Sequence, residues 1–217
     1  MPMSGNAPRQ ARLCVYCGSN FGSSPAFRDA AHALGEAMAR RGITLVYGGG
    51  QVGLMGVVAD AALAAGGDVI GVITEQLVSA EVAHRGVTAL EVVPDMHQRK
   101  ARFEQLSDGF VALPGGFGTV EEVIELLTWN QLGIVRKPVV LFDVERFWGS
   151  LFDWMDTAVD SGFVRRSHRM LAQRAHTADE ALALALAPAP ETPNKWLDRD
   201  TGQIPVIQGP PAADRAD

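Results

Sequence analysis

The segment Pro114-Gly115-Gly116-Phe117-Gly118-Thr119-Val120-Glu121-Glu122 constrains this chain more than any other. It follows a short apolar run, Phe110-Val111-Ala112-Leu113, and precedes an amphipathic stretch from Val123 to Leu132. A strand, a glycine-rich turn and the start of a helix are therefore expected. Glycines in such a turn let backbone N–H groups face a bound anion, and the helix N-terminus adds partial positive charge. A carboxylate in the same first turn reaches whatever carries the anion. The pattern reads as a phosphate held beside an acid or base.

Other apolar runs repeat the theme: Leu13–Tyr16, Thr44–Tyr47, Val69–Ile73, Ala89–Val93 and Val139–Phe142. Helical spacing occupies the intervals Ala26–Arg41, Leu54–Ala65, Asp95–Leu106, Glu121–Leu132 and Phe147–Ser161. Thr177-Ala178-Asp179-Glu180 opens a last capped helix. Such alternation predicts an α/β fold, a Rossmann-like doubly wound, mostly parallel sheet with helices on both faces. The chain's 217 residues suit one such domain over 12–187. Residues 1–11 read as disordered, and the proline-rich 188–217 as an irregular tail, docked through Trp196.

The net charge of −6 argues against a nucleic-acid binder, because a phosphate backbone requires a basic face. No apolar run reaches the roughly 18–20 residues that span a bilayer. The first residues lack a secretory h-region, so a cytoplasmic location is expected. Cys14 and Cys17 form a lone CxxC at a strand end. That spacing sends the two side chains to opposite sheet faces, and no further ligands complete a metal site.

Gly48-Gly49-Gly50-Gln51-Val52-Gly53 satisfies G-x-G-x-x-G, with Glu75 some way beyond to take a ribose hydroxyl. Here the fingerprint follows the second strand, and a second phosphate-type turn exists at Pro114–Thr119. Both turns fall on the C-terminal edge of a parallel sheet, an arrangement suited to a mononucleotide. Thr119 and Glu122 also satisfy a capping box, so spacing alone explains Glu122 by capping as well as by catalysis. Arg99, in Met96-His97-Gln98-Arg99-Lys100, offers a planar bidentate cation at the same edge. The alternative is a solvated face of Arg99, Lys100 and Arg102. His97 reads as a packing or hydrogen-bonding residue, and Arg165–Arg169 as a solvated basic run.

Gly48–Gly56 (GGGQVGLMG), Met96–Lys100 (MHQRK) and Pro114–Glu122 (PGGFGTVEE) together resemble the LONELY GUY family. These are cytokinin riboside 5′-monophosphate phosphoribohydrolases, long mislabelled as lysine decarboxylases. The likeness runs from Leu13 to about His168. It implies hydrolysis of the N-glycosidic bond of an AMP-like nucleotide, giving free base and ribose 5-phosphate, with no cofactor and no metal. By motif position it makes Arg99 and Glu122 catalytic. It assigns the substrate surface to Ser19, Gly49, Gly50, Gly53, Met55, Gly56, Glu75, Met96, Lys100, Gly115, Gly116, Gly118 and Thr119, and it implies a homodimer. Pyridoxal chemistry needs a Schiff-base lysine. The chain offers only Lys100, Lys137 and Lys195, none suitably set. Two other readings remain at this point: a non-catalytic nucleotide carrier, and an NAD-dependent oxidoreductase built on Gly48–Gly53 and Glu75.

Overall fold

The computed structural model describes residues 9–80 and 83–193. The expectations for 1–8 and for the tail from 194 onward, including Trp196, lie outside them. Seven strands form one sheet: β1 (Arg12–Tyr16), β2 (Thr44–Tyr47), β3 (Val69–Thr74), β4 (Ala89–Val93), β5 (Gly109–Ala112), β6 (Val139–Phe142) and β7 (Ala172–Ala175). Their order is β4-β3-β2-β1-β5-β6-β7, and every pairing is parallel. The sheet is thus wholly rather than mostly parallel.

The helices are α1 (Pro25–Arg40), α2 (Gly53–Ala64), α3 (Glu75–Ala80), α4 (Met96–Leu106), α5 (Phe117–Gln131), α6 (Gly149–Asp160), α7 (Arg166–Arg169) and α8 (Ala178–Leu186). Two cores flank the sheet because each central strand is apolar on both faces. Leu13, Val15 and Cys17 face α1, α2 and α8, whereas Cys14 and Tyr16 face α4, α5 and α6. The cysteines are buried and free, on opposite faces as their spacing requires. Burial, ahead of all other causes, pushes the Cys14 thiol well above its ordinary value.

The elements differ locally from those expected. Helix α5 begins at Phe117, with Gly116 as its cap, one turn before the expected Glu121. Glu122 accordingly stands in the second turn, and Thr119 is inside the helix rather than its cap. The capping-box explanation of Glu122 falls with that correction. Strand β7 and helices α3 and α7 were not foreseen; β7 is Ala-Gln-Arg-Ala on a sheet edge, without the apolar run a central strand needs. Thr177 does cap α8, accepting from Glu180 N–H at 3.2 Å. No helix among the described residues is long and apolar enough to cross a membrane.

Candidate active site

Strand order reverses between β1 and β5, since β1 leads on to β2 on one side and β5 to β6 on the other. Ligands of open parallel sheets bind outside the carboxyl ends of the strands at such a switch point. A cavity of about 280 Å³ lies there. Its walls come from the end of β1 and the loop after it (Tyr16 to Ser19), Gly48 after β2, Met55 on α2, Leu77 on α3, Met96 and Arg99 on α4, and Gly116 to Thr119 with Glu121 and Glu122 on α5. Segments up to about a hundred residues apart thus meet at one edge.

Of the residues singled out beforehand, Ser19, Met55, Met96, Arg99, Gly116, Gly118, Thr119 and Glu122 line this cavity. Gly49, Gly50, Gly53, Gly56 and Gly115 support it from behind. Gly53 has φ +62, and a Cβ there would stand 2.2 Å from the carbonyl carbon of Ser19. Leu54 N–H donates to Gly18 C=O at 3.0 Å, so the first glycine turn grips the loop after β1. Gly49 C=O accepts from His84 N–H at 2.9 Å, and Gly50 bridges to Ala83. A Cβ on Gly56 would strike the carbonyl of Gln51, and one on Gly115 the Thr119 hydroxyl. Gly49, Gly53, Gly56 and Gly115 are explained by packing or by backbone conformation.

Gly116 and Gly118 are different. A Cβ on either would meet nothing within 4 Å. Packing does not require glycine there, yet both border the cavity. The first N–H groups of a helix have no intrahelical partner, and those of α5 open this wall. The arrangement leaves open space at a helix N-terminus, chemistry suited to an anion.

Arg99 is 5% exposed and is the sole cation among the described residues that line the cavity. Its Nε donates to Val72 C=O at 2.9 Å and its Nη2 to Gly48 C=O at 2.7 Å. The guanidinium lies 5.4 Å from the centre of the Phe103 ring. Asp95 sets the start of α4 by accepting from Gln98 N–H at 2.8 Å, and that backbone bond holds its carboxyl below the usual range. The solvated-face reading of Arg99 is therefore overturned. Arg102 instead pairs with Glu91 at 2.6 Å. His97 is exposed, so of its two readings, packing or hydrogen bonding, the first is corrected.

Lys100 reaches across from α4 to α5, 2.7 Å from Glu121 and 2.8 Å from Glu125. It does not line the cavity, nor does Glu75, which opens α3 and is exposed. Tyr16 forms part of the floor, stacked on Phe110 at 5.8 Å and edge-on to Phe103 at 5.7 Å. Burial first, and its neighbours Cys14 and Glu122 after it, raises the phenol well above its ordinary range. It stays a protonated donor. Val15, Tyr16, Cys17, Gly18, Leu77, Phe117 and Glu121 also line the cavity without having been named for it; Gly48 opens the recognised G-x-G-x-x-G turn and Gly18 adjoins Ser19, but Leu77 carries no sequence signal. In the Arg165–Arg169 run, Arg166 is solvated, but His168 is buried against Gln131 and the carbonyl of Pro193 and is not among the residues lining the cavity.

Among the described residues, no group of three or more His, Cys, Asp or Glu is placed to hold a metal. The two described lysines are both ion-paired, Lys137 with Glu104 at 2.5 Å and Lys100 as above. Neither presents an amine to the cavity.

A family model described as "Possible lysine decarboxylase" matches residues 55–185. The cytokinin riboside 5′-monophosphate phosphoribohydrolase LOG7 of Arabidopsis thaliana is 45% identical over 178 residues, 82% of each chain. The corresponding enzyme LOG of Oryza sativa is 46% identical over 172 residues, covering 79% of this chain and 71% of its own. Among solved structures, the molybdenum cofactor carrier protein of Chlamydomonas reinhardtii superposes with a TM-score of 0.62 at 24% identity. That match spans 81% of this chain and 95% of the carrier, and it indicates the shared fold alone.

Proposed function

Since the chain belongs to the family matched by that model, the family of the cytokinin riboside 5′-monophosphate phosphoribohydrolases, we propose that it hydrolyses the N-glycosidic bond of an adenosine 5′-monophosphate or an N6-modified relative. Water adds at C1′, the C1′–N bond breaks, and free base and ribose 5-phosphate leave. The observation carrying this reading is one cavity that combines an open helix N-terminus at Gly116–Thr119 with Glu122 one turn further along the same helix.

The chemistry assigns the roles. The 5′-phosphate sits on the N–H groups of α5, beside Ser19. Leaving-group departure builds positive charge on the ribose ring. The Glu122 carboxylate stabilises that charge and orients and deprotonates the attacking water. Arg99, held rigidly by two main-chain carbonyls, draws negative charge developing on the departing purine. Met55, Met96 and Leu77 supply apolar wall against the base. The glycines behind the lining hold the turns in place, and Lys100 neutralises Glu121 and Glu125 beside a substrate that is itself anionic. Glu75 serves the substrate only if α3 moves toward the cavity.

The same reading carries a homodimer and cytoplasmic residence. Phe117 is 97% exposed and Met96 41% exposed, both at the cavity mouth. A partner covering them would bury apolar surface and exclude water from the reaction. Sedimentation of a fully active monomer would contradict the dimer.

Release of base from AMP and from N6-isopentenyl-AMP tests the proposal directly. Glu122→Gln is expected to lose about 10²–10³ in kcat while folding normally. Near-normal turnover by that variant removes Glu122 from the reaction. Binding without release by the parent protein makes it a carrier instead.

A further inference from the structure

A second hollow of about 300 Å³ opens at the same edge of the sheet, beside the nucleotide cavity. Phe21, Phe27, Leu54 and Phe147 wall it, and no carboxylate is among its lining residues. The two hollows share Gly18, Ser19 and Gly116. Gly18 N–H donates to Pro114 C=O at 3.0 Å, making the ridge between them. Space beside Gly116 is clear to 4 Å, which leaves a saddle over that ridge. The first hollow lies toward α4 and α5, the second toward α1. They therefore flank β1 and β5 from opposite sides. Dinucleotides of open parallel sheets lie across this crevice, with the phosphates central and one nucleoside to each side.

The placement of Phe147 is a separate observation. Its ring meets Phe27 edge-on at 5.7 Å and Trp148 at 4.9 Å, yet it is 41% exposed. The two residues before it, Glu145 and Arg146, have φ of 50° and 60°. They are the non-glycine residues with positive φ among those described, a conformation that costs free energy and tends to cluster at ligand sites. The buried Asp143 fixes this loop, accepting from Trp148 N–H at 2.7 Å and facing Arg174 at 3.3 Å. On the opposite wall Phe21 is 44% exposed, one side of its ring covered by Arg28 at 4.1 Å. Two aromatic rings are thus held with open area toward a hollow continuous with a phosphate site.

We propose that this hollow is a second nucleoside subsite, and that the protein binds dinucleotides, two nucleosides joined through a 5′-diphosphate, with the diphosphate over the Gly116 saddle. The proposal rests on the reading of the first cavity as a nucleotide site. It adds no chemical step: the dinucleotide is a ligand that competes with the monophosphate.

Calorimetric titration of the intact chain with AMP, ADP and P1,P2-di(adenosine-5′) diphosphate tests it, with base release followed on the same samples. The dinucleotide is expected to bind at least about fivefold tighter than ADP and to be displaced by AMP. Phe147→Ala and, separately, Phe21→Ala each weaken the dinucleotide about five- to tenfold, the usual scale for one lost stacking partner. Affinity for AMP stays within about twofold of the parent value in both, since neither ring lines the first cavity. Phe21 is in an exposed loop, so its variant decides the matter if Phe147→Ala fails to fold. A dinucleotide no tighter than ADP, or one indifferent to loss of either ring, overturns the subsite. Absence of AMP binding overturns it together with its premise. Tight dinucleotide binding without base release leaves the subsite standing and removes only the hydrolytic reading.

Discussion

Arg99→Ala should damage the fold as well as the chemistry, and the size of the damage can be worked out from the structure. The side chain is 5% exposed and supplies donors to the carbonyls of Val72 and Gly48. Hydrogen bonds from a charged donor contribute about 1.5–3 kcal/mol each, so deleting both costs about 3–6 kcal/mol, less whatever a water entering the space restores. A domain of this size loses roughly 2–4 °C of Tm per kcal/mol, which gives a drop of about 6–24 °C. Total stability of about 5–15 kcal/mol leaves the variant folded at 25 °C across most of that range. Arg99→Lys keeps the charge, but one ammonium cannot reach both carbonyls as the planar fork does, so it should recover about half the loss. Differential scanning fluorimetry and thermal circular dichroism read these shifts, with turnover measured well below each midpoint. An Arg99→Ala protein melting within about 2 °C of the parent would show that the two carbonyl bonds contribute nothing, and the argument for a rigidly held cation would fail with them.

Other substitutions separate packing from binding. Gly118→Ala places a methyl group in open space within a helix, so stability should hold or rise by up to about 1 kcal/mol, while nucleotide affinity falls because the methyl occupies the anion site. Thermal melts beside AMP titrations check both halves. Lys100→Met should cost about 1 kcal/mol and lower base release by weakening phosphate binding, seen as a rise in KM larger than the fall in kcat. Burial alone would depress the Lys100 ammonium, but the bonds from Glu121 and Glu125 outweigh it and hold it above its ordinary value. Its stabilisation is thus complete below the unfolded-state pKa and disappears as pH rises through the higher folded-state value. Alkaline melts of the parent and of Lys100→Met should converge there, and a constant gap between them would refute the pairing.

Six of the seven strands could be read from the chain because each carries an apolar run, including edge strand β4, whose residues are half-buried or exposed. Strand β7 could not, since an edge strand with Gln173 and Arg174 on its flank leaves no such run. The start of α5 was misplaced because Gly116-Phe117-Gly118 carries turn chemistry. Its helical form depends on contacts such as Thr119 packed beneath Gly115, which local propensity does not encode. The three motifs pointed correctly to one edge of a parallel sheet, and Arg99, Gly116, Gly118, Thr119 and Glu122 do border one cavity.

The amino-acid sequence by itself determined the alternation of strands and helices and the residue types at the glycine turns, because periodicity and turn chemistry are local. Tertiary structure decided which glycines border the cavity and which merely pack, and whether a cation is solvated or held. Arg99 is rigid because β3 brings the Val72 carbonyl to it and the turn after β2 brings that of Gly48. Those partners lie 27 and 51 residues away along the chain, and only the order in which the strands pair puts them within hydrogen-bonding distance.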